Sequence, residues 1–169
     1  MYQRIVPLGY QQITSLTTAV NLTLPLGAKQ AEATSSTLNG AILTIGGTIK
    51  GTFAAGQTIT ATGIPINTTI VRQVATYSWQ LSNPCTAETA DDVTAYAPTA
   101  VVMAIIRPTG ANVVWRDDGT APTASVGMLL TTTDSPPFEY YGDLAAIQFI
   151  QAASSAVLNV SYYALSGGS

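Results

Sequence analysis

The chain has 169 residues, enough for one ordinary domain or two very small ones. Hydrophobic residues make up 47% of it and charged residues only 9%, so its surface must be polar but largely uncharged. The six basic residues are scattered singly against nine acidic ones, which argues against a nucleic-acid partner. Other proteins could cover such a surface without desolvating many ions.

Short runs rich in Val, Ile, Thr and Tyr recur between Gly, Pro, Asn and Asp, and no window has sustained helical periodicity. The sequence therefore predicts an all-β protein. The predicted strands are residues 12–17, 19–24, 41–46, 58–62, 69–73, 78–81, 101–107, 112–116, 128–132, 138–140, 146–151 and 156–163. Their spacing of about ten residues is typical of a β-sandwich or barrel.

The opening segment MYQRIVPLGY lacks the apolar run of a signal peptide, and the longest apolar run, residues 100–106, is too short to span a bilayer. We expect a protein made in a cytoplasm, without a membrane partner. Pro7 and Gly9 discourage regular structure, so residues 1–11 are predicted to form a binding arm. Its expected contact groups are Tyr2, Arg4, Ile5 and Tyr10. A disordered or self-packed terminus is the alternative.

The composition changes in the middle of the chain, where residues 35–96 are rich in Gly, Thr and Ile. LPLGA before this segment reads as the end of one strand, and APTA after it as the start of the next. We therefore predict a small β-rich domain, residues 35–96, inserted into an outer domain of residues 1–34 and 97–169. The outer domain is expected to be a β-sandwich or jelly roll, and residues 166–169 a disordered tail.

Two segments of the outer domain have clear patterns. VVMAIIRPTGANVVWR, residues 101–116, contains two apolar runs joined through Pro108, Thr109 and Gly110, which predicts a hairpin. AVLNVSYYAL, residues 156–165, alternates apolar with polar positions, which predicts a half-buried strand.

The residue inventory argues against catalysis. The chain has no histidine and one cysteine, Cys85, so it cannot form Ser-His or Cys-His nucleophile systems, Cys/His zinc sites or an internal disulfide. It also lacks a glycine-rich phosphate loop. We expect no enzyme activity, no cofactor and no metal; a carboxylate-pair glycosidase is the least favoured alternative.

The RDDGT segment, residues 116–120, predicts an Asx turn with Gly119 at positive φ, and the alternative is a calcium site using Asp117 or Asp118. Trp79 and Trp115 lie in strand-like runs, which favours core or half-buried packing over interface anchoring. The pairs Tyr140–Tyr141 and Tyr162–Tyr163 must each present their two rings to opposite faces of a strand.

Two resemblances rest on longer stretches. VVWRDDGTAPTASVGMLL, FEYYGDLAAIQFI and AVLNVSYY together resemble small structural proteins encoded among the head and neck genes of tailed bacteriophages. Residues 38–69, with GQTITATGIPINTTI, resemble a β-module inserted in many phage tail and capsid-associated proteins. The residues that match this module are Gly56, Gln57, Gly63, Ile64, Pro65, Thr69 and Ile70. Ala61 replaces a common glycine, and the segment around Cys85 departs from the module's usual glycine-rich end.

These resemblances imply a virion structural protein that decorates or cements the capsid and carries no catalytic residues. We expect a homo-oligomer, most simply a trimer, bound to the major capsid protein or other virion proteins. A tail, neck or head-fibre component is the alternative within this class. A carbohydrate- or host-receptor-binding module, with Tyr77 and Trp79 as exposed aromatic side chains, is the alternative from another class.

Overall fold

The computed structural model describes residues 4–165, apart from the side chain of Ala90. The prediction of an all-β protein is confirmed: 56% of the described residues lie in strands, consistent with a β-sandwich. Residues 4–165 contain no helix, and therefore none long and apolar enough to cross a membrane. The chain divides into two compact units: unit 1 is Met1–Pro25 with Ala100–Ser169, and unit 2 is Leu26–Thr99.

The strands of the described residues are β1 (Ile5–Ile13), β2 (Val20–Asn21), β3 (Lys29–Thr44), β4 (Ile49–Gly51), β5 (Thr58–Thr60), β6 (Ile70–Ala75), β7 (Ser78–Tyr96), β8 (Met103–Thr109), β9 (Val113–Arg116), β10 (Met128–Leu130), β11 (Phe138–Tyr140), β12 (Gln148–Gln151) and β13 (Val157–Leu165). All their pairings are antiparallel.

Unit 1 consists of two four-stranded sheets that share one core. The first sheet has the order β1-β13-β8-β11 and the second has the order β10-β9-β12-β2. Ile106 and Tyr162 of the first sheet and Phe149 of the second are all 1% exposed or less. Along β13 every second residue is buried, so the predicted half-buried strand is confirmed. Each fully buried large apolar side chain stabilises the fold by about 1.5–3 kcal/mol.

The predicted hairpin over residues 101–116 is wrong. Its two runs form β8 and β9, which lie in different sheets. Gly110 does turn the chain at φ +78°, and a Cβ there would come within 2.2 Å of the Ser155 carbonyl oxygen. Both runs bury apolar side chains in the same core, so the turn carries the chain from one sheet to the other. Apolar patterning alone does not distinguish these two geometries.

The expectation of an irregular N-terminal arm is also wrong for the described residues, since Ile5–Ile13 forms β1 and pairs with β13. Pro7 is tolerated because β1 is an edge strand, where one row of backbone groups has no ladder to join. The register shifts between Pro7 and Gly9, which leaves Leu8 as an extra residue in a β-bulge. Tyr2 and the tail of residues 166–169 lie outside the described residues.

Unit 2 is organised by two long strands, β3 with 16 residues and β7 with 19, which pair through a series of register shifts. β4 pairs with β3, whereas β5 and β6 pair with β7. Lys29 pairs with Tyr96, so the chain enters and leaves the unit side by side. That this unit is an inserted domain able to fold alone stays a prediction.

Candidate functional site

Two surfaces carry the side chains that the sequence singled out for contact. Arg4, Ile5 and Tyr10 lie in or next to β1 of unit 1, whereas Tyr77 and Trp79 lie at the turn between β6 and β7 of unit 2. The predicted residues therefore belong to two different units. Each surface is described within its own unit.

The bulge in β1 decides which side chains share its solvent-facing side. Ile5 and Tyr10 are an odd number of residues apart, so a regular strand would point them to opposite faces. The extra residue at Leu8 changes this parity: Ile5, Pro7 and Tyr10 are exposed, while Val6 is half-buried towards the core side. A bulge of this kind re-aims side chains at a sheet edge.

The neighbouring strand extends this exposed surface. Leu165 pairs with Ile5, and Tyr163 pairs with Pro7, so both lie on the solvent side of the same sheet. Ile5 is 47% exposed, Leu165 42% and Tyr10 62%. We call Ile5, Pro7, Tyr10, Tyr163 and Leu165 the β1 face. It contains no charged side chain.

Hydrogen bonds hold Tyr10 across this surface. Its hydroxyl donates to Asn159 Oδ1 at 2.5 Å, and Gln12 Nε2 donates to the same oxygen at 3.1 Å. The Asn159 amide nitrogen in turn donates to the Thr109 hydroxyl at 3.2 Å. The aromatic ring is thereby fixed before any partner binds, which lowers the entropy that binding would remove.

The core side of β1 is anchored as well. The buried Tyr162 hydroxyl donates to Gln11 Oε1 at 2.6 Å, and the same oxygen accepts the Thr23 backbone N–H at 3.1 Å. Burial raises the pKa of Tyr162, so its hydroxyl remains a donor further into the alkaline range than an exposed tyrosine would. β1 is thus a fixed strand of the sheet.

A second exposed apolar edge was missed by the sequence analysis. Met128 and Leu129 of β10 are 60% and 57% exposed, and Val126 in the preceding loop is 52% exposed. The MLL run was predicted as a strand, but its apolar residues were not distinguished from core residues. Only Leu130, 5% exposed, points into the core.

Unit 2 carries a cleft of about 190 Å³ with aromatic walls. We call it the aromatic cleft. It is lined by Ile45, Ile49, Gly51, Thr52, Phe53, Gln73, Tyr77 and Trp79. Trp79 is half-buried, as the favoured prediction had it, and Tyr77 is exposed, as the glycan-binding alternative had it; both line one concave surface. None of the lining side chains is charged.

The pairing of β6 with β7 and the turn between them position Gln73, Tyr77 and Trp79 in the cleft. Gln73 and Trp79 are directly paired across β6 and β7, which puts both side chains on one face. Tyr77 is 57% exposed and is held at φ +58° in the turn, where its carbonyl oxygen accepts the Ile45 N–H at 2.7 Å. This backbone region favours Gly and Asn, so a tyrosine here is strained.

Gln57, one of the residues matching the phage module, organises the opposite wall. Its side chain is buried, accepting the Ala54 N–H at 2.8 Å and donating to the Thr52 carbonyl oxygen at 3.0 Å. These two bonds close the loop that contributes Thr52 and Phe53 to the cleft. The motif glutamine thus has a structural role.

The RDDGT segment forms the predicted Asx turn: the Thr120 N–H donates to Asp118 Oδ1 at 3.1 Å, and Gly119 has φ +79°. The hydrogen bonds from Arg116 are the main cause that lowers the pKa of Asp118. Asp117 accepts a hydrogen bond from the Tyr140 hydroxyl at 2.9 Å.

Among residues 4–165, no three His, Cys, Asp or Glu side chains come together as a metal site requires.

The predictions for Trp115 and for the pair Tyr140–Tyr141 are confirmed. Trp115 is core, with its ring 5.0 Å from Phe138 and 6.0 Å from Tyr140. Tyr140 is buried while Tyr141 is 63% exposed, so the rings of this pair face opposite ways as predicted. Burial and then the bond to Asp117 raise the pKa of Tyr140 to about 12.

Lys29, Glu32 and Lys50 form a charged cluster. Lys50 lies between two residues that line the aromatic cleft, Ile49 and Gly51, but none of the three charged side chains lines it. Glu32 pairs with Lys29 and with Lys50, whose ammonium lies 2.9 Å away from the carboxylate. The hydrogen bonds from Lys29 and then Lys50 are the main causes that lower the pKa of Glu32 to about 2. Because these groups are exposed, solvent screens their attraction strongly.

Comparison with known proteins identifies no relative of this chain. No protein-family model matches the chain, and neither a curated protein nor a solved structure shows significant similarity to it.

Proposed function

We propose that this protein is a structural component of a tailed-bacteriophage particle, a decoration protein that binds the assembled capsid shell. The observation that carries the proposal is the β1 face, where a bulge gathers apolar and aromatic side chains on the solvent side of a fixed strand. The sequence resemblance to phage head and neck proteins supplies the class of partner, the major capsid protein.

The chemistry of the β1 face suits contact with protein. Ile5, Tyr10 and Leu165 are each more than 40% exposed, although the core of unit 1 is closed without them. Exposed apolar side chains that adjoin one another in a patch are typical of interaction surfaces, whereas singly scattered ones are not. Tyrosine combines a large apolar surface with a hydrogen-bonding hydroxyl and is enriched at the centres of interfaces.

Binding of this kind works by mass action. Subunits that bind the assembled lattice better than free capsid chains stabilise the shell by their binding free energy. A symmetric oligomer, most simply a trimer, would present several β1 faces to the lattice at once, so weak contacts per subunit would multiply. The mechanism requires no cofactor, nucleic acid or catalytic residue.

The copy number per particle tests this proposal against a tail, neck or head-fibre role. Quantitative mass spectrometry of purified virions should give several hundred copies if the protein decorates the shell. Six or twelve copies would assign it to the neck or tail instead, and its absence from purified virions would overturn the proposal.

The oligomeric state is a separate measurement. Sedimentation equilibrium of the purified chain, alone and mixed with emptied capsids, should show a closed oligomer either in solution or on the shell. A monomer under both conditions would contradict avidity as the mechanism.

A further inference from the structure

We propose that the aromatic cleft of unit 2 binds one ring of an uncharged saccharide. This inference goes beyond the proposed binding of unit 1 to the capsid and does not depend on it, because every lining residue belongs to unit 2. A decoration protein with this cleft would also contact glycans, for example those of a cell surface.

The size of the cleft favours a single ring. Its volume of about 190 Å³ is below the roughly 300–1,000 Å³ of pockets that enclose drug-sized ligands. The cleft also lies on the surface, with Tyr77 57% and Ile49 39% exposed, so a bound ring could continue into a longer chain outside it. Terminal or internal sugar units of a polymer meet both conditions.

The lining favours an amphipathic ligand. Tyr77 and Trp79 supply most of the aromatic surface, since Phe53 is only 6% exposed, and Gln73 and Thr52 supply a side-chain amide and a hydroxyl. A pyranose has C–H groups on its flat faces and hydroxyls around its rim. Aromatic walls suit those faces, whereas an amide and a hydroxyl can each donate to and accept from the rim.

The charge pattern disfavours anionic sugars and phosphates. No charged side chain lines the cleft, although Lys50 and Arg72 are sequence neighbours of lining residues. Lys50 instead pairs with Glu32, and Arg72 Nε donates to Gln80 Oε1 at 2.8 Å. An anion in the cleft would have no compensating partner, which favours an uncharged ligand over an anionic one.

The strain at Tyr77 is an independent observation. An exposed tyrosine at φ +58° adds nothing to the core of unit 2, and Gly or Asn would adopt this backbone at lower energy. Strained residues that the fold does not need are concentrated at binding sites. Replacing Tyr77 should therefore weaken ligand binding without lowering the stability of unit 2.

The test uses the full-length chain labelled with 5-fluorotryptophan. The protein has two tryptophans, so the fluorine spectrum has one resonance from the cleft, Trp79, and one from the core of unit 1, Trp115. Trp79→Phe assigns the two. The ligands are the methyl glycosides of glucose, galactose, mannose and N-acetylglucosamine, with glucuronic acid as the anionic comparison, each to about 50 mM because single-ring affinities near millimolar are expected.

We expect at least one neutral glycoside to shift the Trp79 resonance saturably while the Trp115 resonance stays in place. Tyr77→Asn should weaken that binding by about tenfold or more without lowering the midpoint of thermal unfolding. The matched control, Tyr141→Asn, removes an equally exposed tyrosine from unit 1 and should leave the binding unchanged.

Four results would overturn the proposal. They are no shift with any neutral glycoside, a shift with glucuronic acid alone, parallel shifts of both tryptophans, and unchanged binding in Tyr77→Asn. If emptied capsids shift the Trp79 resonance and the glycosides do not, the cleft is a protein contact. Loss of capsid binding leaves these readouts unaffected, so the two proposals fail separately.

Discussion

Units 1 and 2 are both antiparallel β-structures, but they bury different side chains. The core of unit 1 holds Phe149, Tyr162 and Trp115 between two sheets. The core of unit 2 contains several alanines on the register-shifted strands β3 and β7, namely Ala31, Ala33 and Ala95, and one buried aromatic ring, Phe53, from the loop between β4 and β5. The exposed residues differ as well: in unit 1 apolar side chains lie along one side of β1 and β13, whereas in unit 2 aromatic residues line a cleft.

The largest expected effects come from core truncations that should act on one unit at a time. Phe149→Ala should lower the free energy of unfolding of unit 1 by about 3–5 kcal/mol, and Leu43→Ala that of unit 2 by about 2–5 kcal/mol. Trp115 and Trp79 report the two units separately in a denaturant titration followed by fluorine NMR. Equal shifts of both unfolding midpoints in either variant would contradict independent folding.

A smaller effect, confined to unit 2, is expected from Gln57→Ala. The substitution leaves the Ala54 N–H without its acceptor and removes the amide that closes the loop. We expect unit 2 to lose about 1–3 kcal/mol of stability, measured from the Trp79 unfolding midpoint. An unchanged midpoint would show that the loop is held by other contacts; Gln73→Ala, an exposed position, is the control.

High pH should destabilise unit 1 through its buried tyrosines. The pKa of Tyr140 is raised from about 10 to about 12, and burial raises that of Tyr162. Because both hydroxyls ionise less readily in the folded protein than in the unfolded chain, the stability they contribute is complete below pH 10 and is lost as the pH rises towards 12.

Tyr140→Phe tests this assignment. It should lower the stability of unit 1 by about 1 kcal/mol at neutral pH, since one hydrogen bond to Asp117 is lost. It should also reduce the loss of Trp115-reported stability between pH 10 and 12. Tyr141→Phe, which loses only an exposed and solvent-screened hydrogen bond to Glu139, should change both quantities less than Tyr140→Phe does. An unaltered alkaline profile in Tyr140→Phe would refute the role of Tyr140.

The sequence predicted strands best where large branched or aromatic residues alternate. β11 was predicted with its observed bounds, and β9, β12 and β13 to within two residues. Most of β3 and β7 was missed because residues 29–40 and 82–96 are dominated by Ala, Ser, Thr, Asn and acidic residues. There the long mutual pairing of the two strands overrides weak local propensity.

The sequence likewise predicted single residues of the contact surfaces but not how those residues are arranged. Single residues such as Tyr10, Tyr77 and Trp79 could be selected from the sequence because large aromatic side chains are uncommon in this chain. Their arrangement could not, since the β1 face depends on one extra residue at Leu8 that reverses the alternation. The cleft likewise depends on Phe53, brought to Trp79 by a loop that Gln57 closes.

The most direct test of the proposed function is capsid occupancy of a β1-face variant. The triple variant Ile5→Ser, Tyr10→Ser, Leu165→Ser removes three exposed side chains from the β1 face, and the matched control Met128→Ser, Leu129→Ser removes equally exposed apolar groups from the other sheet. Both proteins, shown to be folded by their Trp115 resonance, are added to capsids stripped of the native protein. We predict that the triple variant loses at least about 90% of its bound copies, since several weakened contacts multiply, while the control binds like the native chain at low and high salt. Full occupancy by the triple variant would contradict the account.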